Sequence, residues 1–238
     1  MPRTRLSINI NKVALIRNSR GENRPDIIQF AKDCESYGAE GITVHPRPDE
    51  RHIRYDDLAA LKEVVTTEFN IEGYPNRKFI DKVLEVVPHQ VTLVPDPPGV
   101  LTSSEGWDIS KNEAFLKEVI AEFQSKGIRV SIFLEASEDE VAKSITTATD
   151  RVEFYTGKYA RDYSKDPSAA VKAHVLAAKK ANELGIGVNA GHDLDLENLK
   201  YYSSSVPELL EVSIGHALIS DALYYGIKNT VGMYKRLL

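Results

Sequence analysis

The stretch Leu184-Gly-Ile-Gly-Val-Asn-Ala-Gly-His192 closes one amphipathic helix pattern, Ser168–Leu184, and opens a short strand pattern, Ile186–Gly191. Gly185 stands between them, where a helix ends on a left-handed residue that glycine adopts without penalty. The strand then ends on a Gly-His pair. Working outward, the same unit recurs along the chain. Strand patterns fall at Leu6–Ile10, Gly41–His45, Asn70–Tyr74, Gln90–Pro95, Arg129–Glu135, Arg151–Gly157, Ile186–Gly191 and Leu209–Gly215. Helix patterns lie between them at Pro25–Tyr37, Asp56–Phe69, Asn76–Val87, Lys111–Lys126 and Ser137–Ala148, and Gly38 and Gly127 cap two of these as Gly185 caps the last. Eight alternating units with short connections predict one α/β domain over 1–238, a (β/α)8 barrel of eight parallel strands with a few extra helices. No Gly-x-Gly-x-x-Gly run follows the first strand, which argues against an open dinucleotide-binding sheet.

The 238 residues suit a single barrel, and 42% apolar with 27% charged residues is the composition of a chain that buries a core. A formal net charge of -5 argues against a nucleic-acid partner, so any phosphate site must be local. Cys34 is the single cysteine, which rules out an internal disulfide and a thiolate metal cluster. With no apolar signal core at the N-terminus and no stretch long enough to span a bilayer, a cytoplasmic protein without a membrane partner is expected.

Strand alternation predicts a polar lumen. If Leu6, Ile8 and Ile10 face the helices, Ser7 and Asn9 face the axis, and the same parity places Thr43, His45, Asn70, Glu72, Ser131, Glu135, Arg151, Glu153, Glu211 and Ser213 inside. Barrels of this kind deliver their chemistry at the C-terminal ends of the strands. His45, His192 and His216 fall there and are candidates for proton transfer, whereas His89, before a strand, and His174, within a helix, are expected to be structural. Glu72 points inward near the same rim, where burial raises a carboxyl toward a useful general-base range; an ion pair with an inward arginine is the alternative. Gly191-His192 and Gly215-His216 end strands 7 and 8, a place where backbone N–H groups commonly hold phosphate. Arg20 after strand 1, and Arg47, Arg51, His52 and Arg54 after strand 2, supply cations for a second anion. No His-x-His or His-Glu-x-x-His spacing occurs, so neither a required metal nor a cofactor is expected. Lys12 and Lys158 lie just past strands 1 and 6, and either could form a Schiff base, the main rival chemistry beside a Glu-His isomerase or a non-catalytic phosphometabolite binder.

Asn9 with Ile16-Arg-Asn-Ser-Arg-Gly21, Gly41-Ile-Thr-Val-His-Pro-Arg47 with Arg51-His-Ile53, Asn70-Ile-Glu72, Leu93-Val-Pro95, Thr156-Gly157 with Tyr159-Ala160, Val188-Asn-Ala-Gly-His192 and Ile214-Gly-His216 follow one another in order. Together they resemble the pyridoxine 5'-phosphate synthase family across nearly the whole chain. The resemblance implies condensation of 1-deoxy-D-xylulose 5-phosphate with 3-amino-2-oxopropyl phosphate, giving pyridoxine 5'-phosphate, phosphate and water. It implies a Schiff base between the two substrates, with no enzyme lysine, and a homo-octamer. By matching positions, His45 and Glu72 accept protons, His192 donates one, and Glu153 stabilises a charged transition state. Asn9, Arg20, Gly191, Gly215 and His216 would hold the amino-ketone phosphate; Arg47, His52 and Thr102 would hold the sugar phosphate. Asn11 and Lys12 stand in the sugar-phosphate site where many members carry Asp-His, and Lys12 could replace the histidine as a phosphate partner.

Overall fold

The computed structural model describes residues 3–96 and 105–238. Eight strands run β1 (Arg5–Asn9), β2 (Gly41–Val44), β3 (Glu68–Gly73), β4 (Gln90–Leu93), β5 (Arg129–Leu134), β6 (Arg151–Tyr155), β7 (Gly187–His192) and β8 (Leu209–Ile214). Each pairs in parallel with the next, and β8 returns to β1, so the sheet closes into a barrel. The helices outside it are α1 (Asn11–Asn18), α2 (Ile27–Ser36), α3 (Asp57–Val64), α4 (Arg77–Val86), α5 (Ile109–Gln124), α6 (Glu138–Ser144), α7 (Gly157–Tyr163), α8 (Pro167–Glu183), α9 (Leu199–Ser205), α10 (His216–Tyr225) and α11 (Ile227–Lys235). The chain is thus the predicted (β/α)8 barrel.

Local chemistry explains the punctuation. Asp26, Asn76, Asp108, Ser137 and Asp166 each accept backbone N–H bonds at the start of a helix. Gly38, Gly127 and Gly185 sit at φ of 106°, 74° and 73°, the left-handed caps their positions suggest. Between sheet and helices lies the apolar core, with Leu6, Ile8, Ile42, Ile71, Val91, Ile132, Val152, Val188 and Val212 all fully buried.

Several sequence-based boundaries are corrected; the strand expected over Arg151–Gly157, for example, ends at Tyr155, and Gly157 opens α7. The helix expected over Asp56–Phe69 stops at Val64, and β3 starts at Glu68 rather than Asn70. Val65 turns extended, and the Glu35 carboxylate accepts from the N–H groups of both Thr66 and Thr67, which pins the crossover. Glu68 thereby enters the lumen, where it pairs with Arg129 and lies 3.4 Å from Arg5. Glu135, expected inside, is exposed, because β5 ends at Leu134 and Phe133 takes the last inward place beside Glu153.

The remaining inward residues are placed as the parity implies. Ser7, Thr43, Asn70, Thr92, Ser131, Glu153, Asn189 and Glu211 are almost completely buried. At the lower end the Arg151 guanidinium donates to the Asn189 side-chain oxygen at 3.1 Å and sits 4.0 Å from both Glu68 and Glu211. His89 and His174 are structural, as expected: His89 accepts from the Phe69 N–H at 3.0 Å, and His174 shares a 2.9 Å hydrogen bond with the Tyr202 hydroxyl.

Candidate active site

The C-terminal ends of β1, β2, β3, β7 and β8 surround a cavity of about 440 Å³. Asn9, Asn11, Lys12, His45, Arg47, His52, Glu72, His192, Gly215 and His216 line it, with Arg51, Ser213, Leu15 and Asp193 completing the wall. With Arg51, eleven of the sequence-predicted site residues therefore meet in one place. Lys12 is on the first turn of α1, since the chain turns helical directly after β1 instead of forming a loop.

The polar wall is cross-braced. The Asn9 amide donates to Glu72 Oε2 at 3.4 Å, and its carbonyl oxygen accepts from the Asn11 N–H at 3.1 Å. Asn11 in turn accepts from the His45 N–H at 2.9 Å, and His45 Nδ1 lies 3.8 Å from Glu72 Oε2. From α1, the buried Arg17 grips both oxygens of Asp57 at 2.8 and 2.9 Å and donates to the His52 carbonyl, so the segment after β2 is fixed against the mouth. His52 Nδ1 accepts from the Ile53 N–H at 3.0 Å, which leaves the neutral ring its proton on Nε2. Arg47 is held by Asp96 at 3.4 Å.

Burial sets the titration. It is the main reason the Glu72 carboxyl is pushed up to about 8; Arg47 opposes the rise, while Glu211 and Asp96 add to it. Burial and then Arg47 hold the His192 and His52 imidazoles down to about 4 and His45 well below its ordinary value. Near neutral pH the wall therefore offers neutral imidazoles at His45, His52 and His192 and a Glu72 carboxyl that is mostly protonated but titrates close by, beside the side chains of Lys12, Arg47 and Arg51. Such a pocket attracts anions locally on a chain of net charge -5.

His192 carries a further signature. Its backbone sits at φ 90°, a region unfavourable for any residue with a Cβ, and its ring packs against Phe133 and Tyr155 at centroid distances of 4.9 and 5.7 Å. Glu153 lies below it, deeper in the barrel, with neither carboxyl oxygen hydrogen-bonded to protein; burial first, and Glu72 second, keep it protonated well above the ordinary carboxyl range. Gly191 is placed beside Glu153 rather than on the cavity wall: a Cβ there would come within 2.5 Å of Glu153 Oε1 and 3.2 Å of the Ser213 carbonyl. Gly215 permits β8 to approach Asn9, whose Cβ would lie 3.1 Å from an added methyl, and it opens α10, whose first N–H groups are disposed for an anion.

Arg20 is exposed in the turn after α1, outside the cavity wall, and Thr102 lies outside the described residues. Lys158 lines a separate groove with Glu135, so of the two candidate Schiff-base lysines only Lys12 reaches the main cavity. Among the described residues no group of three or more His, Cys, Asp or Glu could hold a metal ion. Sequence reasoning missed Asp193, Asp96 and Leu15. The first two follow strand ends and the rule that selected His192 would have found them; Leu15 is on the short α1, which carries no strong periodic signal.

Residues 6–238 match the family model described as pyridoxal phosphate biosynthesis protein PdxJ. Proteins named pyridoxine 5'-phosphate synthase from Bacteroides fragilis and Flavobacterium johnsoniae are 57% and 55% identical over 235 residues, covering 99% of this chain and of each relative. The protein of that name from Porphyromonas gingivalis is 53% identical over 232 residues, 98% of both chains. Among solved structures, N-(5'-phosphoribosyl)anthranilate isomerase from Pyrococcus furiosus superposes with TM-score 0.61 at 12% identity, covering 99% of this chain and 98% of that one. Tryptophan synthase from M. tuberculosis does so with TM-score 0.66 at 12% identity, covering 99% and 93%. At such identities these two attest the barrel alone, whereas the family match and the relatives above 50% identity place this chain in the PdxJ family of pyridoxal phosphate biosynthesis proteins.

Proposed function

We propose that the cavity condenses 1-deoxy-D-xylulose 5-phosphate with 3-amino-2-oxopropyl phosphate to pyridoxine 5'-phosphate, releasing phosphate and water; relatives 55–57% identical are named pyridoxine 5'-phosphate synthase. The observation that carries the reading is the pairing of Glu72, tuned to about 8, with a neutral His45 at 3.8 Å inside a cation-lined cavity. Joining an amine to a ketone and closing a ring by a carbon–carbon bond requires protons to be taken from nitrogen and carbon and given to departing oxygen. A carboxyl raised from the ordinary range to about 8, close to the operating pH, can both take up and release a proton there.

In this reading Glu72 and His45 accept protons and His192 donates one. Two phosphate dianions entering the cavity raise the depressed imidazole pKa values by Coulomb attraction, so the substrates themselves equip His192 to carry a proton. Glu153 stabilises charge developing above it. Of the residues assigned to the amino-ketone phosphate, Asn9, Gly215 and His216 hold it from the cavity wall, Gly191 gives room to Glu153 behind them, and Arg20 reaches it only by moving in from the exposed turn after α1; Asn11, Lys12, Arg47, His52 and Thr102 hold the sugar phosphate. The imine forms between substrates, with Lys12 as an ionic partner and not a nucleophile. We also assign the protein to the cytoplasm as a homo-octamer; the strongly exposed Leu223, Tyr224 and Tyr225 of α10 support a contact between subunits.

Glu72→Gln tests the reading. The variant should bind both substrates yet lose roughly 10²–10⁴-fold in turnover. Near-normal product formation would remove Glu72 from the mechanism, and a borohydride-trapped substrate adduct on Lys12 would favour an aldolase instead.

A further inference from the structure

Thr156 follows β6 and caps α7, fully buried and outside the cavity wall. Its hydroxyl donates to the Gly191 carbonyl oxygen at 2.6 Å and accepts from the Asp193 N–H at 3.2 Å, while its own N–H donates to the same Gly191 carbonyl at 3.3 Å. The two side-chain bonds exhaust what one hydroxyl proton and one lone pair ordinarily do. They fall on the peptide groups on either side of His192, the residue at φ 90°. Backbone in that region relaxes by rotating its peptides unless neighbouring bonds over-determine it. Rotation here would swing the imidazole away from Phe133 and Tyr155.

We propose that Thr156 is a positioning residue for His192, its hydroxyl clamping both flanking peptides so that the strained backbone keeps the imidazole aimed into the cavity. The inference rests on the reading of His192 as a proton donor. It concerns kcat, because the Thr156 side chain itself stays off the cavity wall and the backbone it holds at Gly191 and Asp193 aims the imidazole.

Thr156→Ser and Thr156→Ala both remove the methyl and differ only in the hydroxyl, which makes them the decisive pair. Ser should keep kcat within about threefold of the parent, and Ala should lose roughly ten- to a hundredfold in kcat with KM for both substrates nearly unchanged. In a His192→Gln background Thr156→Ala should add less than about twofold, since its effect passes through the imidazole. If Ala fails to fold, Thr156→Val supplies a hydroxyl-free side chain of similar volume and must show the same kcat loss. Equal activities of Ser and Ala, a loss seen in KM, or full multiplication of the two defects overturns the clamp. An impaired His192→Gln beside an unimpaired Thr156→Ala would sink this inference alone; parental activity in His192→Gln would sink the donor assignment on which it rests.

Discussion

Replacing Glu72 by Gln should change how stability depends on pH. The native Glu72 carboxyl holds its proton up to about 8, whereas its ordinary value is 4.5. Between those values the folded chain binds a proton that the unfolded chain does not, so Glu72 makes stability fall as pH rises, by about 1.4 kcal/mol per pH unit, with the decline levelling off above 8. Between pH 6 and pH 8 the share belonging to Glu72 sums to about 2 kcal/mol. Glu153 and Glu211, also raised by burial, add slopes of the same sign. The depressed histidines act oppositely, stability rising as pH climbs toward 6.5, but they are common to parent and variant and cancel in the comparison. Urea unfolding of both proteins at pH 6, 7, 8 and 9, at one fixed protein concentration, measures the difference. Gln should gain on the parent by about 2 kcal/mol from pH 6 to 8 and no more beyond 9. Parallel stability curves would refute the argument that burial keeps Glu72 protonated.

Three further outcomes follow from contacts in the site. Gly191→Ala drives a methyl against Glu153 and should lower stability by about 1–3 kcal/mol, read from denaturant midpoints, and also reduce kcat; a silent substitution would show that Glu153 has room to move. Lys12→Ala should raise KM for the sugar phosphate about ten- to a hundredfold with little change in kcat, because an ammonium at the mouth binds ground and transition states alike. Arg17→Ala strands Asp57 beneath α1 and should lower the unfolding free energy by about 3 kcal/mol; a loss below 1 kcal/mol would show that solvent takes over the pairing.

The barrel was legible because its signals are local. Gly38, Gly127 and Gly185 mark helix ends through a backbone requirement that no tertiary contact alters. Inward parity followed from the two-residue period of strands, and it located Glu72, Glu153, Arg151 and Glu211 correctly. It failed at Glu135, where the strand had already ended, and at Glu68, hidden in a Val-Val-Thr-Thr run that reads equally as helix end or strand start. The positions of rim residues followed from fold topology, but the links among them did not. Nothing local in Asn11 announces that it accepts from His45, nor in Gly191 that it makes space for Glu153, since those relations join β1 to β2 and β6 to β7. The positive φ at His192 was equally invisible, since the hydrogen bonds to its flanking peptides come from Thr156 on a neighbouring strand end.

In the proposed function this cavity closes the pyridoxine ring by proton transfer between its own side chains and two bound phosphorylated substrates. Incubating the purified protein with 1-deoxy-D-xylulose 5-phosphate and 3-amino-2-oxopropyl phosphate, and quantifying pyridoxine 5'-phosphate and inorganic phosphate together, tests it most directly. Both should appear in equal amounts, only when both substrates are present, and Glu72→Gln should slow both roughly 10²–10⁴-fold while still binding each substrate. Consumption of either substrate alone, or phosphate release without pyridoxine 5'-phosphate, would contradict it.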